Sequence, residues 1–299
     1  MKIGYFPGCS LQSTEREYDE SVRAVAAALE IELEEVNDWG CCGASSAHAT
    51  NRLLSIALPA RTLALAAAQK MERVFAPCAA CYNRLATARH VLATEPELAE
   101  RVHAVLGTAV DTAVGVVSAA QMFSELASQI REQTTVPLKD LKLACYYGCL
   151  LVRPPAVCQF DDAESPTSLE TVVSATGATP VRWKMALECC GGGFSLSRTS
   201  SVVRLGRAIL QDARAAGAQA VVVACPMCHT NLDFRQRAMA ERAQPGQEPL
   251  PVIFVSQLVG LALGLKPEAL GLRRHFVDPQ PLLARVATAK SLPEHGGPA

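Results

Sequence analysis

The chain has 299 residues, 49% hydrophobic and 19% charged, which is enough apolar material for two ordinary domains or one large one and excludes a disordered chain. Lys and Arg number 28 against 29 Asp and Glu, a net charge of −1 that argues against nucleic acid or an anionic membrane as the main partner. The outlier is cysteine, with 12 residues in a chain only 5% aromatic.

The opening residues Met-Lys-Ile-Gly-Tyr-Phe-Pro-Gly-Cys hold no apolar stretch followed by a small-residue cleavage site, so no secretory signal is expected. Residues 3–6 read as a short apolar strand that ends at Pro7-Gly8 and delivers Cys9 on a turn. Val22, Val25, Ala26 and Leu29 keep the spacing of an amphipathic helix. Cys41-Cys42-Gly43 opens a loop, followed by an Ala/Leu-rich helix through Leu54, Ala57, Leu58 and Leu65. A buried strand at 73–76 runs into Pro77-Cys78, and the next helix carries Cys81 on its first turn. Residues 95–132 read as largely helical.

The order then recurs. A strand is expected at 141–144, a helix marked by Val202, Leu205 and Ile209, and a strand at 220–224 ending at Cys225-Pro226. Residues 251–265 are too short for a membrane span, which needs about 18 apolar residues, and read as a strand and helix of the core. The alternation predicts an α/β fold of two duplicated parallel modules related by pseudo-twofold symmetry. The expected boundaries are 1–106 for the first module, 107–139 for a helical connector, 140–265 for the second module and 266–299 for a C-terminal surface extension.

The cysteines carry the repeat. Cys9, Cys41, Cys42, Cys78 and Cys81 are followed by Cys149, Cys189, Cys190, Cys225 and Cys228, shifted by 140 residues for the first and by 147 or 148 for the other four. Each half reads Cys, a long spacer, Cys-Cys-Gly, a second long spacer, Cys-x-x-Cys. The first spacers hold 31 and 39 residues, the second 35 and 34. Gly8 and Gly148 precede the first cysteine of each half, and Leu85 and Leu232 sit four residues past the last.

Twelve cysteines without a secretory signal point to a reducing, cytoplasmic setting and to metal ligation rather than disulfides. Thiolates select iron–sulfur clusters, zinc or copper(I). Structural zinc takes four ligands, commonly from two short-spaced pairs. A vicinal pair plus three cysteines on separate loops fits a multi-iron cluster better, and five ligands exceed the four of an ordinary cubane. Zinc and thiol–disulfide chemistry remain the alternatives.

These motifs resemble the cysteine-rich CCG-domain family, and within it the B-subunit group of heterodisulfide reductases. The stretches that carry the likeness are YFPGCSLQ, WGCCGA, APCAACYNRL, YYGCLLVRP, ECCGGG and ACPMCHTNLD, spread over both halves. The resemblance implies two noncubane [4Fe-4S] clusters. Cys9, Cys41, Cys42, Cys78 and Cys81 would hold one, and Cys149, Cys189, Cys190, Cys225 and Cys228 the other. It further implies an oxidoreductase that cleaves or forms a disulfide in a cleft shared by both clusters, with Cys42 and Cys190 as catalytic residues. The implied partners are the ferredoxin-like C-type and FAD-containing A-type components of such a heterodisulfide reductase-like complex. An Ala- and Arg-rich, Lys-poor composition favours a sulfur-oxidation type over reduction of the coenzyme M–coenzyme B heterodisulfide. A non-catalytic electron-transfer protein is the reading from a different class.

Cys145 and Cys158 have no counterparts. Cys145 reads as a small buried hydrophobe at a strand end, and Cys158 as a surface thiol in the longer spacer. His48 and His229 are either proton donors beside the ligands or surface and capping histidines. Arg153 and Lys184 read as solvated charges in preference to anion ligands. The loops bearing Cys41-Cys42 and Cys189-Cys190 are expected to face one another, with residues 158–165 as a surface loop for a partner or for substrate access.

Overall fold

The computed structural model describes residues 1–44, 46–240 and 248–291, with side chains as far as 286. The first half runs β1 (Lys2–Tyr5), α1 (Gly8–Gln12), α2 (Arg16–Ala28), β2 (Glu32–Glu35), α3 (Ala47–Thr50), α4 (Arg52–Ala68), β3 (Arg73–Ala76), α5 (Ala79–Thr94), α6 (Pro96–Leu106), β4 (Gly115–Ser118), α7 (Ala119–Glu125) and α8 (Ala127–Gln133). The second runs β5 (Lys142–Tyr146), α9 (Ser168–Ala175), β6 (Thr179–Pro180), α10 (Thr199–Ala215), β7 (Ala220–Val223), α11 (Pro226–Leu232), α12 (Gln236–Ala240), β8 (Val252–Phe254), α13 (Val255–Ala262) and α14 (Gln280–Ser291).

Two parallel four-stranded sheets result, ordered β2-β1-β3-β4 and β6-β5-β7-β8. Register is the same in kind, with Tyr5 opposite Phe75 in the first and Tyr146 opposite Val223 in the second. Parallel strands covered on both faces need continuous apolar runs, and the four residues of β7, Ala-Val-Val-Val, are all buried. In this strand order the connections reverse between the two inner strands of each sheet. Their carboxyl ends therefore open the crevice where α/β sheets place their sites. Cys9 follows β1 and Cys78 follows β3; Cys149 follows β5 and Cys225 follows β7.

The halves pack as a pseudo-twofold demands. Helix α2 lies on α13, and its counterpart α9 lies on α7, the counterpart of α13. Ser21 and Ser256 hydroxyls meet at 2.7 Å across the first pair. At the axis the Ala79 N–H donates to the Ala224 carbonyl at 3.3 Å. The twofold mate of that bond would need an N–H on Pro226, which proline lacks. The Pro77 carbonyl accepts instead from the Tyr18 hydroxyl at 3.1 Å, and the Tyr18 ring stacks on Phe254 at 3.9 Å between centroids.

Two expectations are corrected. The stretch read as largely helical, with its helical connector at 107–139, holds β4, which pairs with β3 along its length, so residues assigned to the connector complete the first sheet. The C-terminal segment is also more than a surface extension as far as it is described. Leu270 and Leu272 are fully buried, Gln257 donates to the Leu270 carbonyl at 3.0 Å, and Asp233 accepts from the Phe276 and Val277 N–H groups at 2.7 and 3.1 Å. Residues 292–299 of that extension lie outside the described residues.

Tyr18 unites stacking and a buried hydrogen bond at the junction. Tyr18→Phe should cost about 1–3 kcal/mol by stranding the Pro77 carbonyl. Tyr18→Ala should cost about 3–5 kcal/mol by adding a cavity. Equilibrium denaturation of the two variants against the parent under anaerobic conditions checks both values.

Candidate metal centre

Each half gathers its five cysteines from three loops. Cys9 lies in the first turn of α1, entered through Gly8 at φ +70°, where an added Cβ would stand 2.8 Å from Cys81 Sγ. That position admits only glycine for both backbone and steric reasons. Gly148 repeats the device before Cys149, at φ +63° and 3.3 Å from Cys228 Sγ. Cys78 and Cys225 are the N-caps of α5 and α11, and Cys81 and Cys228 sit in the first turns of those helices. The unpaired N–H groups of a helix start favour anionic sulfur there.

Sulfur–sulfur separations repeat between the halves. Cys41 lies 3.9 Å from Cys9 and Cys42 lies 3.3 Å from Cys81. Cys189 lies 3.8 Å from Cys149 and Cys190 lies 3.5 Å from Cys228. These distances are far beyond the ~2.05 Å of a disulfide, and all twelve thiols are free. The Gly43 and Gly191 N–H groups point at Cys41 Sγ and Cys189 Sγ at 3.4 and 3.3 Å. Cys42, Cys78, Cys81, Cys190, Cys225 and Cys228 are buried, whereas Cys9, Cys41 and Cys189 are exposed and Cys149 is partly so. Each set is therefore a buried triple with a pair at its mouth.

Packed thiols cannot all ionise. Hydrogen bonds from Cys41 and Cys81 push Cys42 down, while the bond with Cys42 and burial push Cys41 up. In the second half a bond from Cys149 lowers Cys189 and raises Cys149 itself. Five convergent soft donors per half, with backbone N–H groups on sulfur, fit an iron–sulfur cluster.

The two sets come together where the Ala79 N–H donates to the Ala224 carbonyl, which brings Cys78 and Cys225 close enough to act on each other's ionisation. The expected apposition of the Cys41-Cys42 and Cys189-Cys190 loops is not the contact that joins the halves. The helices bearing the Cys-x-x-Cys pairs also clamp the opposite module. From α5, Asn83 donates to the Leu150 and Arg153 carbonyls at 3.0 and 2.8 Å, and Tyr82 meets Phe160 edge-on at 5.8 Å. From α11, His229 Nδ1 lies 2.9 Å from Glu15 Oε2, and the Thr230 hydroxyl donates to the same carboxylate.

That clamp corrects the reading of Cys158. It is 1% exposed, folded beneath α5 with Asn83 Nδ2 3.4 Å from its sulfur. Most of residues 159–165 are exposed or half-buried, as expected of a surface loop. His229 is no surface residue. It is buried against Phe254, and its Nε2 lies 3.1 Å from the Val252 carbonyl. Burial opposes its protonation, but the bond and charge of Glu15 raise its pKa. His275, which faces it, is pushed down to about 3 by burial and by the His229 charge. This network belongs to the module junction. His48 is exposed on α3. Arg153 is held in its own loop by the Ala163 carbonyl and Glu164, and Lys184 is exposed. Cys145 is fully buried in β5, the core thiol expected.

Comparison with known proteins follows the same division. The cysteine-rich domain model CCG matches residues 3–86 and 143–233. The chain is 35% identical over 283 residues to the membrane anchor subunit of the 8-methylmenaquinol:fumarate reductase of Wolinella succinogenes, across 93% of this chain and 97% of that one. It is 30% identical over 294 residues to the B subunit of the ferredoxin:CoB-CoM heterodisulfide reductase of Methanosarcina mazei, across 95% and 97%. A hypothetical protein from Helicobacter pylori shares the fold with a TM-score of 0.71 at 12% identity; the match covers 93% of this chain and 52% of that one, so this chain spans about half of that structure. Both cysteine sets lie inside the matched segments, and the chain belongs to the family of cysteine-rich CCG-domain proteins.

Proposed function

We propose that the chain is the redox subunit of a heterodisulfide reductase-like complex that breaks or makes a sulfur–sulfur bond. The observation that carries this reading is the pair of complete five-thiol sets, placed side by side where the Ala79 N–H donates to the Ala224 carbonyl next to Cys78 and Cys225. Cys9, Cys41, Cys42, Cys78 and Cys81 hold one noncubane [4Fe-4S] cluster, and Cys149, Cys189, Cys190, Cys225 and Cys228 hold the other. When bound, such clusters supply electrons singly to a sulfur substrate. Reductive cleavage of a disulfide takes two electrons and two protons and yields two thiols; the oxidative direction returns them. Each cysteine set serves one of the two sulfurs, with Cys42 and Cys190 as the catalytic pair. The helix starts at Cys78 and Cys225 stabilise negative charge on sulfur, and the buried triples keep water from it.

The relatives named as B subunits of heterodisulfide reductases support a multi-subunit assembly. Within it a ferredoxin-like C-type partner and an FAD-containing A-type partner exchange electrons with this chain in the cytoplasm. The free thiols suit that compartment, and no helix among the described residues is long and apolar enough to cross a membrane. The Ala- and Arg-rich composition favours sulfur oxidation as the physiological direction. A second reading is electron relay without sulfur chemistry, favoured by the 35% identity to the quinol-linked Wolinella succinogenes protein.

Anaerobically purified protein should contain about eight irons per chain, four per cluster, measured by elemental analysis. Zinc in their place would sink the proposal. Titration with a small organic disulfide should change the clusters' paramagnetic signal; intact clusters with an unaltered signal would leave the relay reading standing.

Cys42→Ser and Cys190→Ser should each abolish disulfide turnover, with the untouched set keeping its iron. Steady-state assays beside iron counts check this. About half activity in either variant would show that the two sets work independently.

A further inference from the structure

The loop that follows Cys189-Cys190 differs in kind from its counterpart. A shift of 148 residues lays Cys189-Cys190 on Cys41-Cys42, and Phe194, Leu196 and Arg198 then fall on Ser46, His48 and Thr50. Where the first mouth offers small or polar side chains, the second offers Leu196, 100% exposed, and Phe194, 47% exposed. Single exposed apolar side chains are ordinary. These two stand on a braced loop beside sulfur. The Gly191 N–H points at Cys189 Sγ at 3.3 Å, and Gly191 leads into a short 3-10 turn, Gly192–Phe194. The buried Ser195 hydroxyl donates to the Asn231 side-chain carbonyl at 3.0 Å, and the Ser195 backbone carbonyl accepts from Arg235 at 2.7 Å. Through Arg235 the loop is linked to two more exposed rings. The guanidinium lies 5.9 Å from the Phe234 ring, which meets Phe276 at 4.6 Å.

Charge separates the two mouths as well. Residues 32–50 hold four acids and no Lys or Arg, and every one of those acids is neutralised. Glu32 and Glu34 pair with Lys2, Glu35 with Arg23 and Asp38 with Arg61. Residues 180–198 hold Arg182, Lys184 and Arg198 against the single acid Glu188. All three cations are exposed and form no ion pair among the described residues. The second mouth is thus an apolar centre with a cationic border, and the first is neither.

An apolar core inside a polar rim is how protein interfaces are built. We propose that residues 191–198 form the docking surface for the electron-exchanging partner, an iron–sulfur protein whose contact face is acidic around an apolar recess. This rests on the reading above that such a partner exchanges electrons with the chain. In the reducing direction the partner is oxidised by one electron and the second set gains it, with no covalent bond made or broken. The oxidative direction reverses the transfer. Exposed Cys189 places that set directly beneath a docked protein. Redox encounters bury little surface, so a leucine and a phenylalanine suffice as anchors. The unpaired cations speed the encounter and fix its orientation. The first mouth takes no part in docking.

Anaerobic calorimetric titration of the full-length, iron-loaded chain with the ferredoxin-like C-type partner tests this. Leu196→Asp should weaken binding about tenfold or more by placing a charge at the apolar centre. Leu196 is fully exposed, so iron content and circular dichroism of that variant should match the parent. Arg198→Glu should weaken binding about tenfold and flatten its salt dependence. A carboxylate at the start of the helix that follows suits the helix dipole, so its fold is kept. Ala49→Asp, at the first mouth, should bind like the parent. Disulfide reduction driven by reduced methyl viologen should be unchanged in Leu196→Asp, while reduction driven by the partner falls with binding. Parent-like binding by both Leu196→Asp and Arg198→Glu, or equal weakening by Ala49→Asp, would overturn the docking surface alone. So would a raised KM for the disulfide with unaltered partner binding, which would put the loop on the substrate's path. A parent chain that binds no such partner would overturn the partner reading together with this one.

Discussion

The carboxyl ends of β3 and β7 are joined where the Ala79 N–H donates to the Ala224 carbonyl, beside Cys78 and Cys225. Everything that gives the molecule its character passes through that junction. A crevice at the carboxyl end of a parallel sheet is ordinary. Two of them joined on the side of their buried cysteines, each lined by five thiols, are not. Because the backbone bond between the modules involves the residues next to Cys78 and Cys225, the N-caps of α5 and α11, the two sets cannot be moved apart without separating the modules. Junction and site are one feature.

The same geometry explains why the modules interlock beyond a flat interface. Helices α5 and α11 start at the axis, so their first turns point sulfur toward their own set and leave the adjacent residues facing the other half. Tyr82 and Asn83 hold residues 150–160, and His229 and Thr230 hold Glu15. Each clamp seizes the chain just downstream of the opposite half's first cysteine, either Cys9 or Cys149. Fixing those segments helps to fix Cys9 and Cys149, which stand at the solvent side of each set just after β1 and β5.

What could be read from the chain alone follows from what repetition and periodicity encode. Strands β3 and β7 are apolar and punctuated by Pro77 and Pro226, so both ends were legible. The ten cysteines stood out because the same order of five recurs at a shift of 140 to 148 residues. Strand β2, Glu-Leu-Glu-Glu, was hidden because it is an edge strand whose outward charges mask the alternation, and β6 has only two residues. Strand β4 was lost between helical patterns because its pairing with β3 is a long-range event. Cys158 was misplaced for a related reason. A spacer rich in Pro, Asp and Ser looks like surface, and only the reach of Asn83 from the other half draws its cysteine inside. Arg84 had no signal of its own, since a lone arginine on a helix reads as a solvated charge until its buried Nε is seen without a partner.

Duplication supplies two identical sites, and two identical sites cannot by themselves give electrons a preferred direction. The differences between the halves are concentrated where they can supply one. Ligands, flanking glycines and strand order are kept, while the residues around the Cys-x-x-Cys pairs diverge as Pro77 and Ala224, Ala79 and Pro226, Tyr82 and His229, Arg84 and Asn231. The first two pairs remove one of the two hydrogen bonds at the axis and bring Tyr18 in to satisfy the freed carbonyl. The third trades an aromatic ring over the Cys158 loop for a buried hydrogen bond to Glu15. The fourth sets an arginine whose buried Nε has no partner among the described residues against an amide held by Ser195, Arg235 and the Cys190 carbonyl. All four lie on the first two turns of α5 and α11 or immediately before them, outside the two five-cysteine sets. None of the four replaces a cysteine, so the halves differ in what packs and hydrogen-bonds around the sulfurs while the two five-cysteine sets are kept.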